Sequence, residues 1–190
     1  IMVTPAMSYF LHAGLCVAGA VDASFELLWK RFEHMLAPEH NGTLWEEWWL
    51  DGSGRSGRFR PLPSGRSDAQ TESAFFPGLF TQYILGIEPT APGAGEIVLR
   101  YYDSRRLRRR TGAMPTPRGS FKVDWLIVPT EFQINLVVPP ETTVRLDLAS
   151  LGGPSLDQIT IDAKVPSSKQ VRGGFLAIES GNHEISVQRP

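Results

Sequence analysis

The sequence predicts an α+β chain: a helical first half followed, from a boundary near residues 88–94, by an antiparallel β-sandwich. Three observations carry this. Phe25, Leu28, Phe32, Met35 and Leu36 recur at the spacing of one helix face. Beyond Pro89 the apolar residues switch to alternation, as in Phe121, Val123, Trp125 and again in Phe132, Ile134, Leu136. Turn formers punctuate that region at Pro139-Pro140, Gly152-Gly153-Pro154, Gly173-Gly174 and Gly181-Asn182.

The elements follow in order. Thr4-Pro5 reads as a helix start with Thr at the N-cap and Pro at the first helical position. Met7, Phe10, Leu11, Leu15 and Val17 continue at helical spacing to Gly19. Asp22 caps a second helix that Pro38 stops. Both helices read as core elements rather than binding faces. Residues 38–71 read as a long loop, rich in Gly, Ser, Pro and Arg, of the kind that is usually functional or mobile. A third helix spans Ser73 to Leu85, with a stripe of Phe75, Phe76, Leu79, Phe80, Tyr83 and Ile84 and with Gly86 at the C′ position. Val144, Leu146, Leu148, then Ile159, Ile161, then Leu176, Ile178, then Ile185, Val187 extend the alternation to about seven or eight short strands.

Composition narrows the function classes. Of 190 residues, 42% are hydrophobic and 21% charged, enough apolar material for a core. A net charge of −1 gives nothing global to attract nucleic acid or an anionic membrane, and neither is expected as a partner. The basic run Arg105-Arg106-Leu107-Arg108-Arg109-Arg110 reads as a solvated strand or a guarded edge, against the alternative of an anion contact. The single cysteine, Cys16, reads as a buried small hydrophobe. His12, His34, His40 and His183 lack ligand spacing, so no metal and no cofactor is expected. The glycines of 52–57 lack the residues of a phosphate loop. The opening Ile1-Met2-Val3-Thr4-Pro5 already approaches a helix and reads as a cut, the mark of a fragment, which leaves localisation open.

The chemistry concentrates in Asn41-Gly42-Thr43-Leu44-Trp45-Glu46-Glu47-Trp48-Trp49, where two carboxylates sit among three tryptophans. Sugar hydrolysis uses such groups: a carboxylate to activate water and flat aromatic walls for the ring. An interfacial Trp cluster with solvated glutamates fits the same residues, with Trp45, Trp48 and Trp49 divided between core and platform. Glu46 as a loop carboxylate paired with Arg55 or Arg58 is the plain alternative to Glu46 as a base. A self-contained pair of Glu46 and Glu72 requires the long loop to fold back.

In this order of elements the chain resembles the C-terminal part of bacterial α-L-rhamnosidases, glycoside hydrolase family 78. Four segments carry the resemblance: Thr4-Pro5 with its helix, Gly42-Thr43-Leu44-Trp45-Glu46, Tyr83 through Gly93, and Pro115-Thr116-Pro117-Arg118-Gly119 followed by Val123-Asp124-Trp125. The resemblance implies the last helices of an (α/α)6 barrel over residues 1–90, including the active-site loop 38–71, and a β-sandwich domain over residues 91–190. It implies an inverting hydrolase for terminal α-L-rhamnose, with Glu46 as the general base. Trp45, Trp49, Gln70 and Glu72 would contact substrate, Gln70 or Glu72 standing where the family carries a His before its last helix. The family's general acid has no match in residues 1–40. The expected partners are a rhamnose-containing glycoside or polysaccharide, the upstream catalytic segment, and a second copy through apolar helix faces.

Overall fold

The computed structural model describes residues 4–36, 43–46 and 69–189. Most of the predicted loop, with Glu47, Trp48, Trp49, Arg55, Arg58 and the 52–57 glycines, lies outside the described residues, as does His40. The described chain divides into two units, residues up to Leu79 and residues from Phe80 onward.

In the first unit, α1 spans Ser8–Val17 and α2 spans Val21–Leu36. Thr4 caps as its sequence position suggests: the Met7 N–H donates to Thr4 Oγ1 at 3.4 Å and the Ser8 N–H to the Thr4 carbonyl at 2.9 Å. The regular helix starts later, at Ser8, after one turn. The α2 stripe is covered as expected at Leu28, Phe32 and Met35. The α1 stripe is not. Its covered residues are Ser8, His12 and Cys16, spaced four apart, while Met7, Phe10 and Val17 are 55%, 66% and 73% exposed. The reason is a polar seam: buried Ser24 of α2 lies with its Oγ 3.0 Å from His12 Nδ1, so the small polar face of α1 turns inward and its apolar face outward.

A 3-10 turn at Thr71–Ser73 precedes α3, Phe76–Tyr83, which runs across the division between the units. The single helix expected over 73–85 is thus broken, because Pro77 fits only a first helical turn. Phe75 and Phe76 pack edge-on against Phe32, with centroids 5.9 and 4.6 Å away.

The second unit holds ten strands: β1 Ile87–Pro89, β2 Glu96–Leu99, β3 Arg109–Thr116, β4 Gly119–Ile127, β5 Glu131–Val138, β6 Thr143–Asp147, β7 Ile159–Ile161, β8 Val171–Arg172, β9 Phe175–Ile178 and β10 Gly181–Gln188. They form two five-stranded sheets, β1-β2-β6-β9-β8 and β3-β4-β5-β10-β7. The second sheet is antiparallel throughout, whereas β2 and β6 of the first run parallel. Ile97, Leu99, Val144, Leu146, Leu176 and Ile178 from one sheet share a single core with Phe121, Val123, Trp125, Ile134, Leu136, Ile185 and Val187 from the other. That shared core is the sandwich the alternation foretold.

Gly86 sets the entry to β1. Its φ is +77°, and a Cβ there would lie 1.9 Å from the Arg100 carbonyl oxygen. The Arg100 N–H in turn donates to the Gly86 carbonyl at 2.9 Å, and the Trp125 indole N–H to the Leu85 carbonyl at 2.9 Å.

Candidate functional site

The candidate site is assembled from two short segments of the first unit. Trp45 is 1% exposed, so its indole serves the interior of this unit and has almost no surface open to solvent. Hydrogen bonds hold its backbone and that of Leu44. The Trp45 N–H donates to Met35 Sδ at 3.5 Å, the Ser73 hydroxyl donates to the Trp45 carbonyl at 2.9 Å, and the Gln70 N–H donates to the Leu44 carbonyl at 2.7 Å. The end of α2 and the 3-10 turn at 71–73 therefore clamp the residues on either side of Trp45. The fold-back that a common site for Glu46, Gln70 and Glu72 requires is present at the level of the backbone.

Glu46, immediately after the clamp, is half-buried, as is Gln70. Glu72 is exposed, and its Oε2 accepts from the Thr71 hydroxyl at 3.1 Å. Trp49 lies outside the described residues. A carboxylate whose neighbour's backbone is held in this way can polarise a water, and a carboxylate or an amide can hold sugar hydroxyls. Sequence reasoning missed Met35 and Ser73. Met35 reads as one more apolar residue of the α2 stripe, and Ser73 as the first residue of the third helix; nothing local signals that each reaches Trp45.

A second group of reactive side chains, His12, Ser24 and Cys16, is buried between α1 and α2. Burial lowers the His12 pKa, with the bond to Ser24 acting in the opposite direction. Burial raises the Cys16 thiol, partly offset by a hydrogen bond from Ser24. A neutral imidazole and a protonated thiol make a structural seam, not a nucleophile. Among the described residues no group of three or more His, Cys, Asp or Glu side chains is arranged to hold a metal ion.

The basic run resolves into different roles. Arg109 is exposed and grips Asp124 through two hydrogen bonds of 3.2 and 2.8 Å on the edge strand β3. Arg110 is 3% exposed, contrary to the solvated strand expected of the run. It donates to the carbonyls of Leu107, Ile84 and Tyr102 and stacks 4.7 Å over the Tyr101 ring.

Comparison with known proteins gives the family context. Residues 86–159 match the bacterial alpha-L-rhamnosidase C-terminal domain. The alpha-L-rhamnosidase of Alteromonas sp. (strain LOR) is 26% identical over 125 residues, which is 64% of this chain and 13% of that protein. The crystal structure of Streptomyces avermitilis alpha-L-rhamnosidase complexed with L-rhamnose superposes with a TM-score of 0.66 at 21% identity, covering 97% of this chain and 17% of that one. The alpha-L-rhamnosidase from Dictyoglumus thermophilum gives 0.65 at 16% identity, covering 97% and 20%. The chain is thus similar to the C-terminal part of bacterial α-L-rhamnosidases, and its β-rich unit resembles their C-terminal domain. It spans a fifth or less of the length of these relatives.

Proposed function

We propose that this chain is the C-terminal part of an inverting glycoside hydrolase that removes terminal α-L-rhamnose from glycosides or polysaccharides. The observation that supports the reading is the clamp on Trp45, which ties the segment that carries Glu46 to the segment that carries Gln70 and Glu72. In this reading Glu46 takes the proton of the attacking water while a carboxylic acid on the opposite face protonates the leaving oxygen. Gln70 and Glu72 hydrogen-bond the sugar, Trp49 supplies a wall, and buried Trp45 acts from beneath by holding Glu46. No cofactor takes part.

The general acid comes from an upstream catalytic segment, so the chain by itself is incomplete for turnover. Residues 1–90 would then be the last helices of an (α/α)6 barrel, and residues 91–190 the sandwich domain. The outward apolar face of α1, with Trp29 and Leu36 of α2 at 64% and 55% exposed, supports a helical partner, either that segment or a second copy.

The test is hydrolysis of an aryl α-L-rhamnoside by this chain alone and by the chain joined to its upstream sequence, each with Glu46 and with Glu46→Gln. Activity only in the joined form, reduced about 10²–10⁴-fold by Glu46→Gln, is the expected result. Activity of the chain alone would overturn the upstream-acid reading and point to Glu72. A folded joined protein without activity would leave a second reading, an accessory carbohydrate-binding module or a homologue acting on another sugar.

A further inference from the structure

The outer face of the first sheet carries a feature that hydrolysis at Glu46 does not use. Strand alternation points Ile97, Val144, Leu146, Leu176 and Ile178 into the core, so Glu96, Thr143, Arg145, Phe175 and Ala177 face outward. Ala177 stands directly opposite Arg145 in the β6–β9 register. A lone methyl at that central position leaves a hollow of about 560 Å³, edged by Arg145, Phe175, Lys169, Arg172 and Glu179. This volume is that of a small-ligand cleft, about 300–1,000 Å³. A second hollow of about 370 Å³ shares Gln170 and Glu179 with the first and is lined further by Lys164 and His183.

The charges are arranged unevenly. Arg145 is engaged: it pairs with Glu96 at 3.2 Å and its guanidinium lies 4.2 Å over the Phe175 ring. Glu96 is likewise committed, its pKa lowered by the Thr90 hydroxyl and by Arg145. Lys169 and Arg172, by contrast, form no salt bridge among the described residues. They sit on a preorganised corner. Gln170 Oε1 accepts from the Ser167 N–H at 2.9 Å and its hydroxyl at 3.2 Å, which shapes the 3-10 turn and leaves the Gln170 amide NH₂ as a donor.

We propose that the larger hollow binds an oligosaccharide carrying carboxylate groups. Lys169 and Arg172 meet the carboxylate. Ala177, beside the Arg145–Phe175 stack, meets the C–H face of a sugar ring, and Glu179, Thr143 and Gln170 exchange hydrogen bonds with hydroxyls. Thr143, Gln170 and Glu179 together offer both donors and acceptors, which match sugar hydroxyls that each donate and accept. The hollow's volume of about 560 Å³ suits a saccharide rather than one small inorganic anion. The site lies wholly on the sandwich and does not depend on the role assigned to Glu46.

The test is an amide-resonance titration of this chain with trigalacturonate, its methyl ester, a triglutamate peptide and inorganic sulfate. Trigalacturonate is expected to shift the resonances of Arg172, Phe175 and Ala177, and the methyl ester is not. Arg172→Glu, an exposed change that leaves the core untouched, should weaken the binding about tenfold. Ala177→Leu, which fills the hollow, should abolish it. No shift with trigalacturonate, equal binding of the ester, or the same shifts at the same concentration with triglutamate or sulfate would each overturn the proposal.

Discussion

The Ser73 hydroxyl donates to the carbonyl of Trp45 across 28 positions of chain, at 2.9 Å and with both groups buried. With the Gln70 N–H to Leu44 carbonyl bond, it joins the segment that carries Glu46 to the turn that carries Glu72. A buried acceptor that loses a donor costs about 1–3 kcal/mol, more than the bond contributes when exchanged for water. Ser73→Ala is therefore expected to lower stability by about 1–2 kcal/mol in chemical denaturation. In the joined enzyme it should lower kcat while leaving KM nearly unchanged, since Ser73 positions the proposed base through Trp45 rather than touching substrate. A loss of stability with kcat intact would separate the clamp from catalysis.

The His12–Ser24 seam makes folding sensitive to acid in a predictable window. Burial lowers the His12 pKa from 6.5, so the folded state holds the neutral ring and the unfolded state binds the extra proton. Stability from this site is complete above about pH 6.5 and falls as pH drops below it, by at most about 1.4 kcal/mol per pH unit until the folded pKa is passed. Denaturation midpoints between pH 8 and pH 5 should show this slope. His12→Gln, which cannot titrate, should flatten it at the cost of lower stability at pH 8. An unchanged slope would assign the acid sensitivity to other groups.

How much of this was legible in the sequence depends on the distance over which each feature is decided. The strands were legible because period-two alternation is local and its outcome is burial, as at Phe121, Val123 and Trp125. The parallel pairing of β2 with β6 was not, because Ile97 and Val144 carry no mark of strand direction. The α1 face was misread for a physical reason. Its apolar stripe looks like a core stripe, but Ser24, in a different helix, draws His12 inward, and that choice exists only once the two helices meet. Glu46 stood out through its aromatic neighbours, whereas Ser73 and Met35 act through contacts that no spacing announces.

The joint at Gly86 is predicted to tolerate no side chain. Its φ of +77° disfavours any L residue, and a Cβ would meet backbone, the Arg100 carbonyl at 1.9 Å, which no rotamer can relieve. Gly86→Ala should cost about 3 kcal/mol or more, because β1 must shift away from β2. The check is the thermal midpoint alongside Gly153→Ala, where φ is also positive but nothing lies within 4 Å. The second variant isolates the conformational term, and similar losses in both would show that the contact with Arg100 adds nothing.

Two adjacent arginines should answer to mutation in opposite ways. Arg109 holds Asp124 at the surface, where water screens the pair and competes for both partners, so Arg109→Ala should barely move the denaturation midpoint. Arg110 stands one residue on and faces inward. Its guanidinium bonds the carbonyls of Leu107, Ile84 and Tyr102, and its plane covers Tyr101. Arg110→Met keeps the volume but strands those carbonyls, an expected loss of about 3 kcal/mol. Arg110→Lys should recover only part of it, because one ammonium cannot span the fork that a planar guanidinium presents. If Arg110→Met proved as stable as the parent, the carbonyls would have to be satisfied by water, and the buried arginine would be dispensable to the sandwich.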